Sequence, residues 1–233
     1  MLEIDGWRSA ARSFKVSDLG FSLASGTGKN AIDVKNASRG MIFDCYVNGF
    51  TGGAGIKMDA EDNKNSDFNK ILGCYIGGCQ DGVWFDLSAT TSSYCDAHFI
   101  QNCHIVSNTR YDIHCSNTGG LSAKANAHFI GDTWVQCQST GTHGLYIDDD
   151  VSAVKVANCN FDGQPATTCI TIGASSTYTL LCNVAVDGGF TDNSGNGEFV
   201  NCYFTATGQT EIRDYVSSYG FNNDVRIVTG SGS

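Results

Sequence analysis

Five segments of this 233-residue chain carry side chains that could do chemistry at a fixed offset: Gly55-Ile56-Lys57-Met58-Asp59, Gly82-Val83-Trp84-Phe85-Asp86, Asp112-Ile113-His114-Cys115-Ser116, Gly144-Leu145-Tyr146-Ile147-Asp148 and Cys169-Ile170-Thr171-Ile172-Gly173. Successive side chains on a strand face opposite sides. With Ile56, Val83, Ile113, Leu145 and Ile170 inward, Lys57, Trp84, His114, Tyr146 and Thr171 share the outer face, and Asp59, Asp86, Ser116, Asp148 and Gly173 follow two positions on. Rings that stack on sugars, beside Asp and Lys groups that bind hydroxyls, suit a glycan, so Lys57, Trp84, His114 and Tyr146 are the candidate substrate contacts. Glycoside hydrolysis needs two carboxyl groups, roughly 5–5.5 Å apart for retention or 6.5–9.5 Å for inversion. If the segments stack at about 4.8 Å, Asp59 and Asp86 approach the first spacing. Asp86 and Asp148, two levels apart at about 9.6 Å, approach the upper end of the second. Asp86 with Asp148 is therefore the leading catalytic pair, with Asp59 and Glu61 as substitutes. The plainer reading is that Asp closing a strand makes a turn and that outward aromatics pack against a loop or a neighbouring subunit.

A repeat must align these segments. Taking Leu19, Cys45, Cys74, Cys103, Thr133, Cys159, Val184 and Cys202 as anchors, 18 to 30 residues apart, the position three before is always apolar: Val16, Ile42, Ile71, Ile100, Ile130, Val156, Leu181, Phe199. So is the position two after: Phe21, Val47, Ile76, Ile105, Val135, Phe161, Val186, Phe204. The residue just before each anchor is Asp, Asn or Gly without exception, the types that tolerate a left-handed backbone. This predicts a strand, a one-residue corner and a second strand, with the strand bearing the candidate residues 9 to 13 positions past six of the anchors. Ala97-His98-Phe99-Ile100 also recurs as Ala127-His128-Phe129-Ile130. Short strands and tight corners with like residues in a column make an all-β solenoid.

Composition agrees with this and excludes several classes. With 28 Gly, one Pro and 16% charged residues, the chain lacks the Glu, Lys and Leu that fill helices. A net charge of -10 disfavours nucleic acid and anionic membranes as partners. No apolar run has the length of a spanning helix, and the start has no export-signal core. Eleven cysteines occur without CxxC or zinc-ligand spacing. Cys45, Cys74, Cys103, Cys159 and Cys202 are expected to stack inside as free thiols, which suits folding in a reducing compartment. No metal and no cofactor is expected, because Asp148-Asp149-Asp150 reads as a solvated turn rather than a calcium site. His98, His104, His128 and His143 read as surface or corner residues.

Through Phe43-Asp44-Cys45-Tyr46-Val47, Gln101-Asn102-Cys103-His104-Ile105, Ala157-Asn158-Cys159-Asn160-Phe161 and Val200-Asn201-Cys202-Tyr203-Phe204, the chain resembles the right-handed parallel β-helix of pectate lyases and bacteriophage tailspikes. The resemblance covers about residues 14 to 204 and brings no catalytic motif that transfers residue by residue. It implies a β-helix of about seven or eight coils, an entry segment or cap at 1–13, and a cap, linker or truncated region at 205–233. Longer connections after the second to fourth candidate strands, about 59–70, 86–99 and 116–129, are expected to wall a groove. The resemblance implies a tailspike-type domain, side by side in a homotrimer, assembled in the bacterial cytoplasm and carried on a phage virion. It would bind a bacterial surface polysaccharide, and whether it also hydrolyses that polymer stays open. The alternatives are a free, extracellular lyase or hydrolase of the pectate lyase type and a structural solenoid of a filament.

Overall fold

The computed structural model describes residues 1–6, 13–24, 28–120, 125–138, 142–163, 167–205 and 226–227. Its strands lie in four parallel sheets of eight, nine, four and eight members, so the chain winds as a β-solenoid. One coil shows the order: Lys70–Leu72 on a first wall, Tyr75–Gly77 on a second, Asp81–Leu87 on a third and Tyr94–Asp96 on a short fourth. The chain then re-enters the first wall at Phe99–Gln101, in register with Lys70–Leu72. The sheets are parallel, as stacked coils require.

The apolar columns read from the sequence are the interior. Val16, Ile42, Ile71, Ile100, Ile130, Val156, Leu181 and Phe199 pair in succession on the first wall and are all buried. Phe21 to Phe204 do the same on the second wall, with Phe21 only partly buried at its end. Burying each such side chain contributes roughly 1.5–3 kcal/mol. Between these walls Asp18, Asp44, Gly73, Asn102, Asp132, Asn158, Asn183 and Asn201 all have positive φ, from 48° to 61°. The predicted corner is present on every level. The anchor cysteines lie buried behind it as free thiols, Cys74 Sγ donating to Leu72 O at 3.4 Å and Cys103 Sγ to Gln101 O at 3.3 Å. Leu19 is the exception at 47% exposure. It sits at the end of the stack, where among the described residues no earlier strand covers the first and second walls.

A second left-handed corner, between the fourth wall and the first, has no such sequence signature. Arg39, Phe68, Ala97, Ala127, Ala153 and Tyr178 hold φ between 51° and 60°, a conformation costly for side chains with a Cβ. The residues that follow, among them Asn69, His98 and His128, turn inward and are buried. His98 and His128 do stand at a corner, as expected, but inside it. Their rings stack at 5.4 Å, each packed against Phe85 at 4.9 Å.

The long connections expected to wall a groove are partly strand. Each holds a fourth-wall strand, Asn65–Asp67, Tyr94–Asp96 and Ala125–Asn126, paired in sequence along the stack. Residues 121–124 of the third connection lie outside the described residues. At the ends, Leu2–Asp5 of the entry segment pairs with Ile32–Lys35 as the outermost strand of the third wall. Of the region 205–233, only Thr205, Arg226 and Ile227 are described, all on the second wall. No described helix is long and apolar enough to cross a membrane.

Candidate functional site

The outer face of the third wall gathers the predicted column. Register pairing sets Lys57 beside Trp84, Trp84 beside His114, His114 beside Tyr146 and Tyr146 beside Thr171, while Asp59 pairs with Asp86 and Asp86 with Ser116. Parallel pairing without slippage explains why a repeat in sequence becomes a row in space.

Two groups result. In the first, the Lys57 ammonium lies 3.2 Å from Asp59 Oδ2 and 3.0 Å from Asp86 Oδ2, with its Nζ 4.1 Å from the centre of the Trp84 ring. Burial opposes the charge on Lys57, but Asp86 and Asp59 outweigh it and raise its pKa. Asp86 Oδ1 also accepts from Ser116 Oγ at 2.7 Å and Thr118 Oγ1 at 2.8 Å, and Ser116 Oγ accepts from Trp84 Nε1 at 2.7 Å. Asp86 is 1% exposed and Asp59 5%. These carboxylates position Lys57 and Trp84, and neither stands open to a glycosidic oxygen. Glu61 lies apart, accepting from Asn36 Nδ2 and Lys64 Nζ, each at 3.1 Å. Those bonds hold its carboxyl below the usual range.

The second group centres on His114. Its ring stacks on Trp84 at 5.5 Å, its Nε2 lies 3.2 Å from Asp148 Oδ2, and its Nδ1 lies 3.8 Å from Asp81 Oδ2. Burial works against the imidazolium, yet Asp148 and Asp81 together raise its pKa. Asp81 is 1% exposed and gripped by Arg110, Nε to Oδ1 at 2.8 Å and Nη2 to Oδ2. Burial would raise its pKa, but the bonds to Arg110 and His114 turn the balance and lower it. The Arg110 guanidinium lies 5.5 Å from the Trp84 ring and 5.0 Å from that of Tyr111. Tyr111 meets His114 at 4.4 Å and Tyr146 at 4.6 Å, and His143 meets Tyr146 at 5.0 Å. Burial and the neighbouring His114 charge lower the pKa of His143, whose Nδ1 is 3.0 Å from Thr171 Oγ1.

Lys57, Trp84, His114 and Tyr146 thus form one continuous cluster, whereas Asp86 and Asp148 serve different partners within it. Sequence reasoning missed Asp81, Arg110, Tyr111 and the inclusion of His143. A signal was present: Asp81, Tyr111 and His143 form a further in-register row three residues before Trp84, His114 and Tyr146. Arg110 stands next to that row and leaves no trace in the repeat. Among the described residues no three His, Cys, Asp or Glu side chains converge as a metal site.

The chain's fold is similar to that in a crystal structure of an alginate lyase from Paenibacillus sp. str. FPU-7, with a TM-score of 0.53 and 13% identity over 84% of this chain and 77% of that one. Identity that low speaks to the solenoid alone. No family model and no curated protein matches the sequence.

Proposed function

We propose that the third wall binds a polysaccharide across Trp84, Tyr111 and Tyr146, with His114 buried at 5% exposure to position their rings, and that on a uronate-bearing chain the cluster cleaves by β-elimination. The observation that carries this reading is the grouping of Tyr111, Tyr146 and His143, with Tyr146 4.6 Å from Tyr111 and 5.0 Å from His143, beside the Arg110 guanidinium 5.0 Å from Tyr111. Burial and the His114 charge keep His143 towards neutral imidazole, the form a base needs. Arg110, whose side chain is the more exposed cation of the cluster, would offset the sugar carboxylate. Neutral His143 would take the proton from the carbon beside that carboxylate. The released electron pair would form the carbon–carbon double bond as the glycosidic oxygen departs with a proton from a tyrosine hydroxyl. Hydrolysis through Asp86 is less favoured, because Lys57, Ser116 and Thr118 already occupy it. The structural neighbour, an alginate lyase, supports an acidic polysaccharide as the first substrate to try.

The test is incubation with alginate while following both ultraviolet absorbance from unsaturated product ends and reducing-sugar release. Both signals should appear, and His143→Ala should lower kcat/KM by roughly 10²–10⁴, as loss of a general base does. Reducing ends without the absorbance would sink elimination in favour of hydrolysis.

A second reading is a recognition module of tailspike type, homotrimeric and borne on a phage tail. It draws on the eleven unpaired cysteines, which suit assembly in a reducing cytoplasm. Cell-surface binding without product release, together with a trimer mass in solution, would favour it.

A further inference from the structure

The first wall, outside the cluster just described, carries a cleft of about 420 Å³ lined by Arg39, Gly40, Met41, Phe68, Lys70 and Phe99. We infer that this cleft is a second glycan-binding site, specific for an acidic sugar: Arg39 and Lys70 take the carboxylate and Phe68 the ring. The inference rests on the polysaccharide reading above, but concerns different residues on a different wall.

Charge distribution is the first support. Of the described cations, Lys35, Lys57, Lys64 and Arg110 sit against carboxylates. Lys15, Lys29, Arg39, Lys70 and Lys155 are exposed and have no carboxylate partner among the described residues. Four of these five, all but Lys29, stand on or beside the first wall, in a chain whose net charge is -10. Three occupy one outward row, which runs Lys15, Met41, Lys70, Phe99, Phe129 and Lys155 on successive levels before it ends in Leu180 and Glu198. At about 4.8 Å per level, Lys15 and Lys70 are about 9.6 Å apart and Lys70 and Lys155 about 14.4 Å. A polymer lying along the axis would meet two lysines, then two rings, then a third lysine. The screening length of about 8 Å at physiological salt leaves these local cations effective while damping the repulsion of the distant acids. Asp67 and Asp96 belong to the adjoining fourth wall and do not line the cleft.

The exposed ring is the second support. Phe68 is 50% exposed on a left-handed corner that the fold imposes equally at Arg39, Ala97, Ala127, Ala153 and Tyr178. A ring so exposed contributes little to packing and lies open to a ligand in the cleft. Arg39, at φ 60° in the level below, occupies the equivalent corner. The corner thus presents one cation and one aromatic face beside the mouth of the cleft.

The test is calorimetric titration of an alginate hexasaccharide, and of the same hexasaccharide with its carboxylates reduced to alcohols, into the full chain carrying His143→Ala so that the ligand is not consumed. That protein should bind the acidic form at two sites. Arg39→Ala with Lys70→Ala should abolish one or weaken it at least tenfold, without changing binding of the reduced form. His114→Ala should affect the other site only. Phe68→Gly should weaken both forms at the first-wall site while leaving Tm unchanged or higher, a combination that a structural role for the ring would not produce. A single site that His114→Ala removes would overturn the inference while keeping the third-wall reading. Two sites that ignore the Arg39 and Lys70 substitutions would overturn it as well. Absence of unsaturated product with the wild-type protein would instead count against elimination at the third wall, so the two failures are distinguishable.

Discussion

The two left-handed corners of the coil solve the same geometric problem by opposite means. Between the first and second walls, the residue at positive φ is Asp, Asn or Gly on all eight levels. Its side chain also links the levels: Asn158 Nδ2 donates to Asp132 at 3.2 Å, Asn183 to Asn158 at 3.1 Å and Asn201 to Asn183 at 2.7 Å. Between the fourth and first walls the same backbone is held by Arg39, Phe68, three alanines and Tyr178. There the conformation is imposed from inside. Asn69 accepts from Gly40 N at 2.7 Å and donates to Ala37 O at 2.7 Å, and His98 Nδ1 accepts from Asn69 N at 3.3 Å. One corner is set by its own residue and the other by buried neighbours, which frees the second to display large side chains.

Substitutions should separate these mechanisms. Asn69→Leu should have the largest effect, about 3 kcal/mol by the denaturant midpoint, because it strands the Gly40 N–H in the interior and leaves the Ala37 carbonyl only its longer bond from Asp67 N. A loss under about 1 kcal/mol would mean that the second corner holds itself.

Next comes acid sensitivity. Burial pushes His128 down to about 3, so it folds neutral. Its contribution is complete above the unfolded value near 6.5 and is lost as pH falls towards 3, by about 2 kcal/mol at pH 5. Urea titrations at pH 7.5 and pH 5 should show this difference shrinking in His128→Phe.

Smaller still, Asn158→Ala should destabilise by about 1 kcal/mol through the left-handed penalty. Ala97→Gly, at φ 51°, should stabilise by about 0.5 kcal/mol, the relieved strain less the added chain entropy. Thermal melts of both variants would expose any failure of the contrast, above all if Ala97→Gly lowered Tm.

The first corner was legible because its solution is a residue type, and the buried columns because apolar alternation is set by the pleat. The third-wall row of Lys57, Trp84, His114 and Tyr146 followed from these by counting. The chemistry of the row did not. Asp59 and Asp86 looked like available carboxylates, yet both close on Lys57. His143 read as peripheral until the third wall set it against Tyr111 and Tyr146. The fourth wall was hidden because its short strands adjoin a corner with no recurring residue type, whereas the equally short strands of the first and second walls flank the Asp, Asn or Gly corner.

Sequence alone determined that the chain coils, which residues point inward, and where one of its corners lies, since those depend on local backbone preference and on period. Burial, partner and protonation state were decided only when levels separated by some thirty residues came into contact. A carboxylate's character depends on the charges and water around it, and these are supplied by neighbouring turns of the solenoid.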